Sequence, residues 1–301
     1  MQQQFQQQVA IITGAANGLG KSYALALAKL GVKVVVNDVG GKRDGSAVDN
    51  HAAQAVVDEI IDAGGQAMLS TADITVYSAV EAMVEHVMQT WGRIDILINN
   101  AGILRDSSFS KIDLDDFWRV VDVHLKGSVN CSKAVWEIMK QQNYGRIVLT
   151  SSASGLYGNF GQSNYAVAKA GLLGLMNVLD AEGEKYNIKV NLLTPTAHTR
   201  MTDELLPEES KPLLTPEAIT PATIFLASQD APSKTILGVG AGVYARSYIF
   251  ETEGIFIPEH ERTPENIAQK FEQISQANTA HYLNNASQQT VRFVKKAMQH
   301  Q

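Results

Sequence analysis

Short apolar runs rich in β-branched residues recur along this chain, and each is followed by a longer stretch with a helical apolar period. The runs are "QVAIITG", "KVVVND", "QAMLSTAD", "IDILINNAG", "GRIVLTSS" and "IKVNLLTP". Between them lie "KSYALALAKLG", "AAQAVVDEIIDAGG", "YSAVEAMVEHVMQTWG" and "SNYAVAKAGLLGLMNVLDAEGEKY". A strand that is apolar without alternation is buried on both faces, which is the condition of a parallel sheet. Strict alternation of such strands with helices predicts an α/β fold: a doubly wound parallel sheet, Rossmann-like, with helices on both faces. The stretch "DLDDFWRVVDVHLKGSVNCSKAVWEIMKQQ" reads as one long helix or two, and a last short strand is expected near "GVYARSYIF". Gly31 is placed to end its helix as the residue just past the cap.

A chain of 301 residues with 45% apolar content supports a full core. Residues 1–257 read as a single dinucleotide-binding and catalytic domain, and 258–301 as a polar C-terminal helical extension. Residues 200–235 carry Pro207, Pro212, Pro216, Pro221 and Pro232. This segment is either a long surface loop or a lid over a bound substrate. A net charge of −6 and the lack of a Lys/Arg run exclude a nucleic-acid surface. The one cysteine, Cys131, lies in a helical pattern and reads as buried filler in a chain without internal disulfides. "MQQQFQQQ" lacks the charged and apolar regions of a secretory signal, and no apolar run reaches the ~20 residues of a membrane span. A cytoplasmic protein with no membrane contact is expected. The seven histidines form no i, i+4 pair beside carboxylates, so no metal is expected.

The first strand runs into "TGAANGLGKS", with glycines at Gly14, Gly18 and Gly20. A sharp strand-to-helix turn without side chains lets backbone approach a pyrophosphate, and the helix N-terminus supplies free N–H groups. The same loop could be only a glycine-rich turn. Asp38 closes the second strand, where an acid bonds a ribose 2′-hydroxyl and repels a 2′-phosphate. Lys42 and Arg43 follow and could attract such a phosphate, but Asp38 holds the inner position, which favours NAD; alternatively Asp38 merely caps a turn. Asp73 offers a carboxylate to an adenine amino group, or caps a helix. Asn99 to Gly102, at the end of the fourth strand, suit a crevice at the sheet's switch point, or simply terminate the strand.

Tyr165 and Lys169 stand one helical turn apart. A phenol is a poor base at neutral pH, and an ammonium ~4 Å away in a medium of effective dielectric ~20 is worth ~4 kcal/mol toward ionising it. Ser152, at the end of "GRIVLTSS", can hold the same substrate oxygen by hydrogen bond, while the adjacent Ser151 points elsewhere. Neither serine sits in a nucleophile elbow, which argues against acyl-enzyme chemistry.

Taken together, the glycine loop, Asp38, "NNAG" and the Ser–Tyr–Lys set resemble the short-chain dehydrogenase/reductase family over about residues 8–250. Within it, "VVVNDVGG", "NNAGILRD", "YGRIVLTSSASGLYGNFGQSNYAVAKAGLLGL" and "HTRMT" resemble the (3R)-hydroxyacyl-CoA dehydrogenase part of the peroxisomal multifunctional β-oxidation enzymes. The resemblance implies oxidation of (3R)-3-hydroxyacyl-CoA to 3-oxoacyl-CoA, with hydride passing to NAD, in a homodimer. It implies Ser152 as substrate holder, Tyr165 as proton acceptor and Lys169 as ribose ligand and tuner of Tyr165. Gly14, Asn17, Gly18, Leu19, Gly20, Asp38, Asp73, Ile74, Asn100, Ala101, Gly102, Pro195, Ala197 and Thr199 would line the cofactor. Two residues depart from the wider pattern. His124 stands where the family usually has a catalytic Asn, and either packs in its helix or relays protons. His198 replaces a small residue, as a solvated loop residue or a substrate contact. Another secondary-alcohol (steroid) dehydrogenase and a 3-oxoacyl carrier-protein reductase are the alternative enzymes, and an NAD-binding scaffold the non-enzymatic alternative.

Overall fold

The computed structural model describes residues 2–46, 51–199, 202–203 and 207–300. Its first elements are α1 (Gln2–Phe5), β1 (Val9–Thr13), α2 (Gly18–Lys29), β2 (Lys33–Asn37), α3 (His51–Asp62), β3 (Ala67–Ser70), α4 (Tyr77–Trp91) and β4 (Ile96–Asn99). Then come α5 (Leu114–Val121), a π-helical turn at Asp122–Lys126, α6 (Gly127–Gln142), β5 (Gly145–Thr150), α7 (Ala153–Tyr157) and α8 (Ser163–Gly183). The sheet is completed by β6 (Ile188–Thr196), a helix α9 (Pro216–Leu226), β7 (Ile236–Gly240) and β8 (Val243–Ser247).

Eight strands lie in the order β3-β2-β1-β4-β5-β6-β7-β8, and every pairing from β3 to β7 is parallel. Successive residues of one strand feed opposite layers. Ala10 and Ile12 of β1 pack with Tyr23, Leu27 and Val56, while Val9 and Ile11 pack with Val84, Val87 and Met139. This two-sided burial is the physical reason the strands read as unbroken apolar runs. The order reverses between β1 and β4, which opens a crevice at the carboxyl ends of those strands.

Gly31 has φ +88° just past the end of α2, as its position in the sequence implied. The expected final strand near "GVYARSYIF" is β8, and a further strand, β7, precedes it. The seventh parallel strand is "ILGVG", weakened as a sequence signal by its glycines, and β8 follows across a two-residue turn in which Ala241 and Gly242 both have positive φ. The 200–235 segment is not a lid along its whole length. Its stretch from Pro216 to Leu226 is helix α9, whose Ile219, Ala222 and Leu226 are buried in the core layer that also holds α2. Pro216 sits in the first turn, where its missing N–H costs nothing. Residues 200, 201 and 204–206 lie outside the described residues.

Two compact units divide at Arg246, eleven residues before the expected boundary at 257. The second contains β9 (Phe250–Glu251), α10 (Pro264–Gln269), α11 (Phe271–Ile274), β10 (His281–Tyr282) and α12 (Ala286–Met298). β9 and β10 pair antiparallel, and the described residues of this unit bury no side chain fully. Among the described residues no helix is long and apolar enough to cross a membrane.

Candidate active site

The crevice at the carboxyl ends of β1, β2 and β4 is lined by Gly14, Asn17, Gly18, Leu19, Asp38, Asp73, Ile74, Asn100, Ala101, Gly102 and Thr199, all expected from the sequence. Gly20 lies behind it. A Cβ there would stand 2.2 Å from the Gly14 carbonyl oxygen, so only glycine lets α2 close on the loop. Asn17 starts α2 without a side-chain cap, which leaves the first N–H groups of the helix directed at the crevice. Asp38 accepts hydrogen bonds from Ala16 N at 3.0 Å and Gly40 N at 2.8 Å. It therefore braces the glycine loop and faces the cavity at the same time. Asp73 accepts from both the amide and the hydroxyl of Thr75, at 2.9 and 2.7 Å, and lies 4.0 Å from the Arg119 guanidinium.

Asn100 turns its carboxamide away from any ligand, donating to the carbonyls of Thr13 and Gly14 at 3.0 and 3.1 Å. Sequence reasoning passed over Thr13. Its hydroxyl accepts from the amides of Asn100 and Ala101 at 3.0 and 3.1 Å, which joins the ends of β1 and β4. Asn37 was also passed over. It lines the crevice and donates to Ser70 at the end of β3 and to Ala72 just beyond it. A polar residue where a buried strand ends is the signal that both share. Pro195 closes β6 beside Val239, and Ala197 is buried with its carbonyl held by the Thr202 hydroxyl at 2.6 Å. His198 pairs through Nε2 with Asp203 at 2.7 Å in an exposed contact.

At the ends of β5 and α8 the three candidate reacting residues come together. Ser152 caps α7, its Oγ accepting from Ser154 N at 3.2 Å, and its side chain is near enough to the Tyr165 hydroxyl to favour the ionised phenol. Lys169 is buried, with Nζ 5.4 Å from the centre of the Tyr165 ring and donating to the Thr150 carbonyl at 2.5 Å. Ser151 points the other way, donating to the Lys169 carbonyl at 2.9 Å.

The structure reverses the direction expected for the phenol. Burial pushes Tyr165 up to about 12, against the pull of the Ser152 side chain, and the Asp106 carboxylate raises it further. Burial drops Lys169 to about 7. Burial disfavours the charged form of each group, the phenolate and the ammonium alike.

His124 falls in the π-helical turn and is buried. Its Nε2 lies 3.1 Å from Ile103 N and 2.8 Å from Ile103 O, and its ring meets Tyr165 edge-on at 5.1 Å. Nδ1 has no partner among the described residues. Burial first, and the Lys169 charge second, hold His124 well below the usual imidazole range, so the ring is neutral. The ring occupies the space beside Gly102, where a Cβ would stand 2.1 Å from Cε1. Cys131 is buried and its thiol is pushed up to about 12 by desolvation, which keeps it unreactive. Among the described residues no group of His, Cys, Asp and Glu is placed to hold a metal ion.

A glycine loop, an acid ending β2 and a Ser–Tyr–Lys set with its lysine buried lie at the carboxyl ends of the strands, and the family model for short chain dehydrogenases matches residues 8–210. The chain is a short-chain dehydrogenase. This dehydrogenase is 45% identical over 274 residues to the peroxisomal hydratase-dehydrogenase-epimerase of Saccharomyces cerevisiae, covering 90% of itself and 30% of that protein. It is 43% identical over 282 residues to the peroxisomal multifunctional enzyme type 2 of Mus musculus, covering 92% of itself and 38% of that chain. The structure of the full-length peroxisomal multifunctional enzyme type 2 from Drosophila melanogaster superposes with a TM-score of 0.79 at 33% identity, over 96% of this dehydrogenase and 49% of that chain. This dehydrogenase thus spans between about a third and a half of these relatives. Membership makes it an oxidoreductase acting on a CH–OH group.

Proposed function

We propose that this dehydrogenase oxidises (3R)-3-hydroxyacyl-CoA to 3-oxoacyl-CoA with NAD as hydride acceptor, acting as a homodimer. The observation that carries the proposal is the meeting of Ser152, Tyr165 and buried Lys169 at the ends of β5 and α8, with Lys169 Nζ over the Tyr165 ring, in a fold whose crevice presents Asp38 at the end of β2. The uncapped start of α2 suits a pyrophosphate, and Asp38 suits a ribose diol while rejecting a 2′-phosphate. Lys42 and Arg43 line the same crevice without displacing Asp38 from its inner position. Bound along the crevice lined by Gly14, Gly18 and Asp38, NAD would supply a hydride acceptor for C3 of the substrate.

The protein's own residues handle the proton. Ser152 Oγ holds the substrate oxygen, and Tyr165 Oη, once it has given its own proton to solvent in the substrate complex, receives the hydroxyl proton as the C–O bond gains double-bond character. The phenol is too basic at rest to be ionised, so the substrate complex must lower it. The Ser152 side chain already acts in that direction. Lys169 and the Thr150 carbonyl fix the floor of the site. Neutral His124 holds the Ile103 backbone and the edge of the Tyr165 ring, which fits a positioning role better than proton transfer.

The test is an initial-rate panel of (3R)- and (3S)-hydroxyacyl-CoA thioesters of several lengths, with a steroid alcohol as control and NADP as the competing cofactor. We expect (3R) thioesters and NAD to be preferred, Asp38→Ala to erode the cofactor preference, and Tyr165→Phe to lose ~10²–10⁴-fold in turnover while binding NAD as before. A preference for the steroid alcohol, or for NADP in the unmodified protein, overturns the reading.

A further inference from the structure

Gln162 is 5% exposed and stands three residues before Tyr165, at the N-cap position of α8. A buried carboxamide must satisfy a donor end and an acceptor end. Here the Nε2 group donates to Asp106 Oδ2 at 2.7 Å. The Oε1 atom accepts from Ser154 Oγ at 2.8 Å and from Asn159 Nδ2 at 3.0 Å. The orientation is fixed by chemistry. Flipped, the amide would face a carboxylate with its oxygen and the Asn159 amide with its own N–H groups. The three partners belong to three segments: the loop after β4, helix α7, and the α7–α8 connection.

Two further contacts run along the same seam. Ser107 N donates to the Gly161 carbonyl at 2.9 Å, and Asn164 Nδ2 donates to the Arg105 carbonyl at 2.9 Å. Ser154 gives its hydroxyl to Gln162 and its backbone N–H to Ser152 Oγ. That contact uses an acceptor position of Ser152 Oγ and leaves its proton for another partner.

We propose that Gln162 is a positioning residue for the Ser152–Tyr165 pair, its carboxamide tying Asp106, Ser154 and Asn159 into one frame that sets where the Ser152 hydroxyl meets the phenol. The inference takes Ser152 and Tyr165 as the reacting pair, as in the proposed function, but not the identity of the alcohol. Gln162 is not among the residues lining the crevice, and it acts through Ser154.

The test exchanges the two ends of the Asp106–Gln162 bond. Gln162→Glu sets two carboxylates against each other, and adding Asp106→Asn restores a donor and an acceptor with their roles reversed. We expect Gln162→Glu to lower kcat ~10–100-fold, as a sub-ångström displacement of a reacting group does. KM for the cofactor should stay within about twofold, because the glycine loop is untouched. The double variant should recover to within about threefold of the unmodified protein. Rates are measured on whichever secondary alcohol the unmodified protein oxidises best, so rejection of hydroxyacyl thioesters sinks the proposed function and not this inference.

A second measurement needs no substrate. The ¹³Cζ resonance of Tyr165, assigned with Tyr165→Phe, should move in Gln162→Glu and return in the double variant. If Gln162→Glu does not fold, Ser154→Ala replaces it and should move the same resonance. Unchanged kcat, loss confined to the cofactor KM, failure of the double variant to recover, or an unmoved resonance each overturns the proposal.

Discussion

Single residues in this site are governed by the loss of water. Lys169 drops from the ordinary 10.5 to about 7 because its ammonium is buried. Between those values the unfolded chain holds a proton that the folded chain releases, so stability rises with pH across that window. Below about pH 7 the folded protein carries the whole penalty of a buried cation, on the order of a few kcal/mol. Lys169→Met should therefore gain in thermal midpoint relative to the unmodified protein most at pH 6, with the gain fading by pH 10; a pH-independent difference refutes the assignment. Gly102→Ala is a steric counterpart. The new methyl must displace the His124 ring, and we expect a loss of about 1–3 kcal/mol in urea unfolding. His124→Asn in the same chain should recover part of it, and additive losses refute the packing argument. The glycine loop and the Ser–Tyr–Lys set were legible in the sequence because their spacing follows from strand and helix geometry. The sign of the Tyr165 shift was not, since a spacing reveals proximity but not how dry the neighbourhood is.

Elements were legible where burial gave a clean pattern and illegible where one residue changed the local geometry. The stretch from Leu114 to Gln142 has the apolar period of one helix or two, yet it contains a π-helical turn that places His124 against Ile103. One extra residue per turn leaves almost no trace in a 3.6-residue pattern. The turn also alters the pairing of main-chain carbonyls, and the Ser128 hydroxyl bonds the His124 carbonyl at 2.7 Å. Ser128 is buried, so Ser128→Ala leaves that carbonyl short of a partner and should cost about 1–3 kcal/mol in chemical denaturation. A loss under a few tenths would mean that the α-helical bonds suffice. Helix α9 was misread for a related reason. Pro216 and Pro221 signal a break, but one stands where no N–H is required, and the apolar face of Ile219, Ala222 and Leu226 outweighs the other.

At the scale of the whole molecule the two units differ in kind. Residues 1–246 bury two apolar layers, one on each face of the sheet. The second unit relies on polar ties. Arg292 and then Lys296 pull Glu253 down to about 2, and His281 lies 2.7 Å from the same carboxylate. That contribution is complete above the ordinary carboxylate value and is lost as pH falls toward 2. We expect residues 247–301 expressed alone to show little helix by circular dichroism, and less in 1 M salt, where screening acts within ~3 Å. A stable, salt-insensitive fold would contradict this. The imidazole that fills the hollow beside Gly102 also binds two distant stretches of chain to a shared history. Wherever a related sequence acquires a side chain at the first position, the second must shrink in step, so the pair should drift through evolution as one character rather than two.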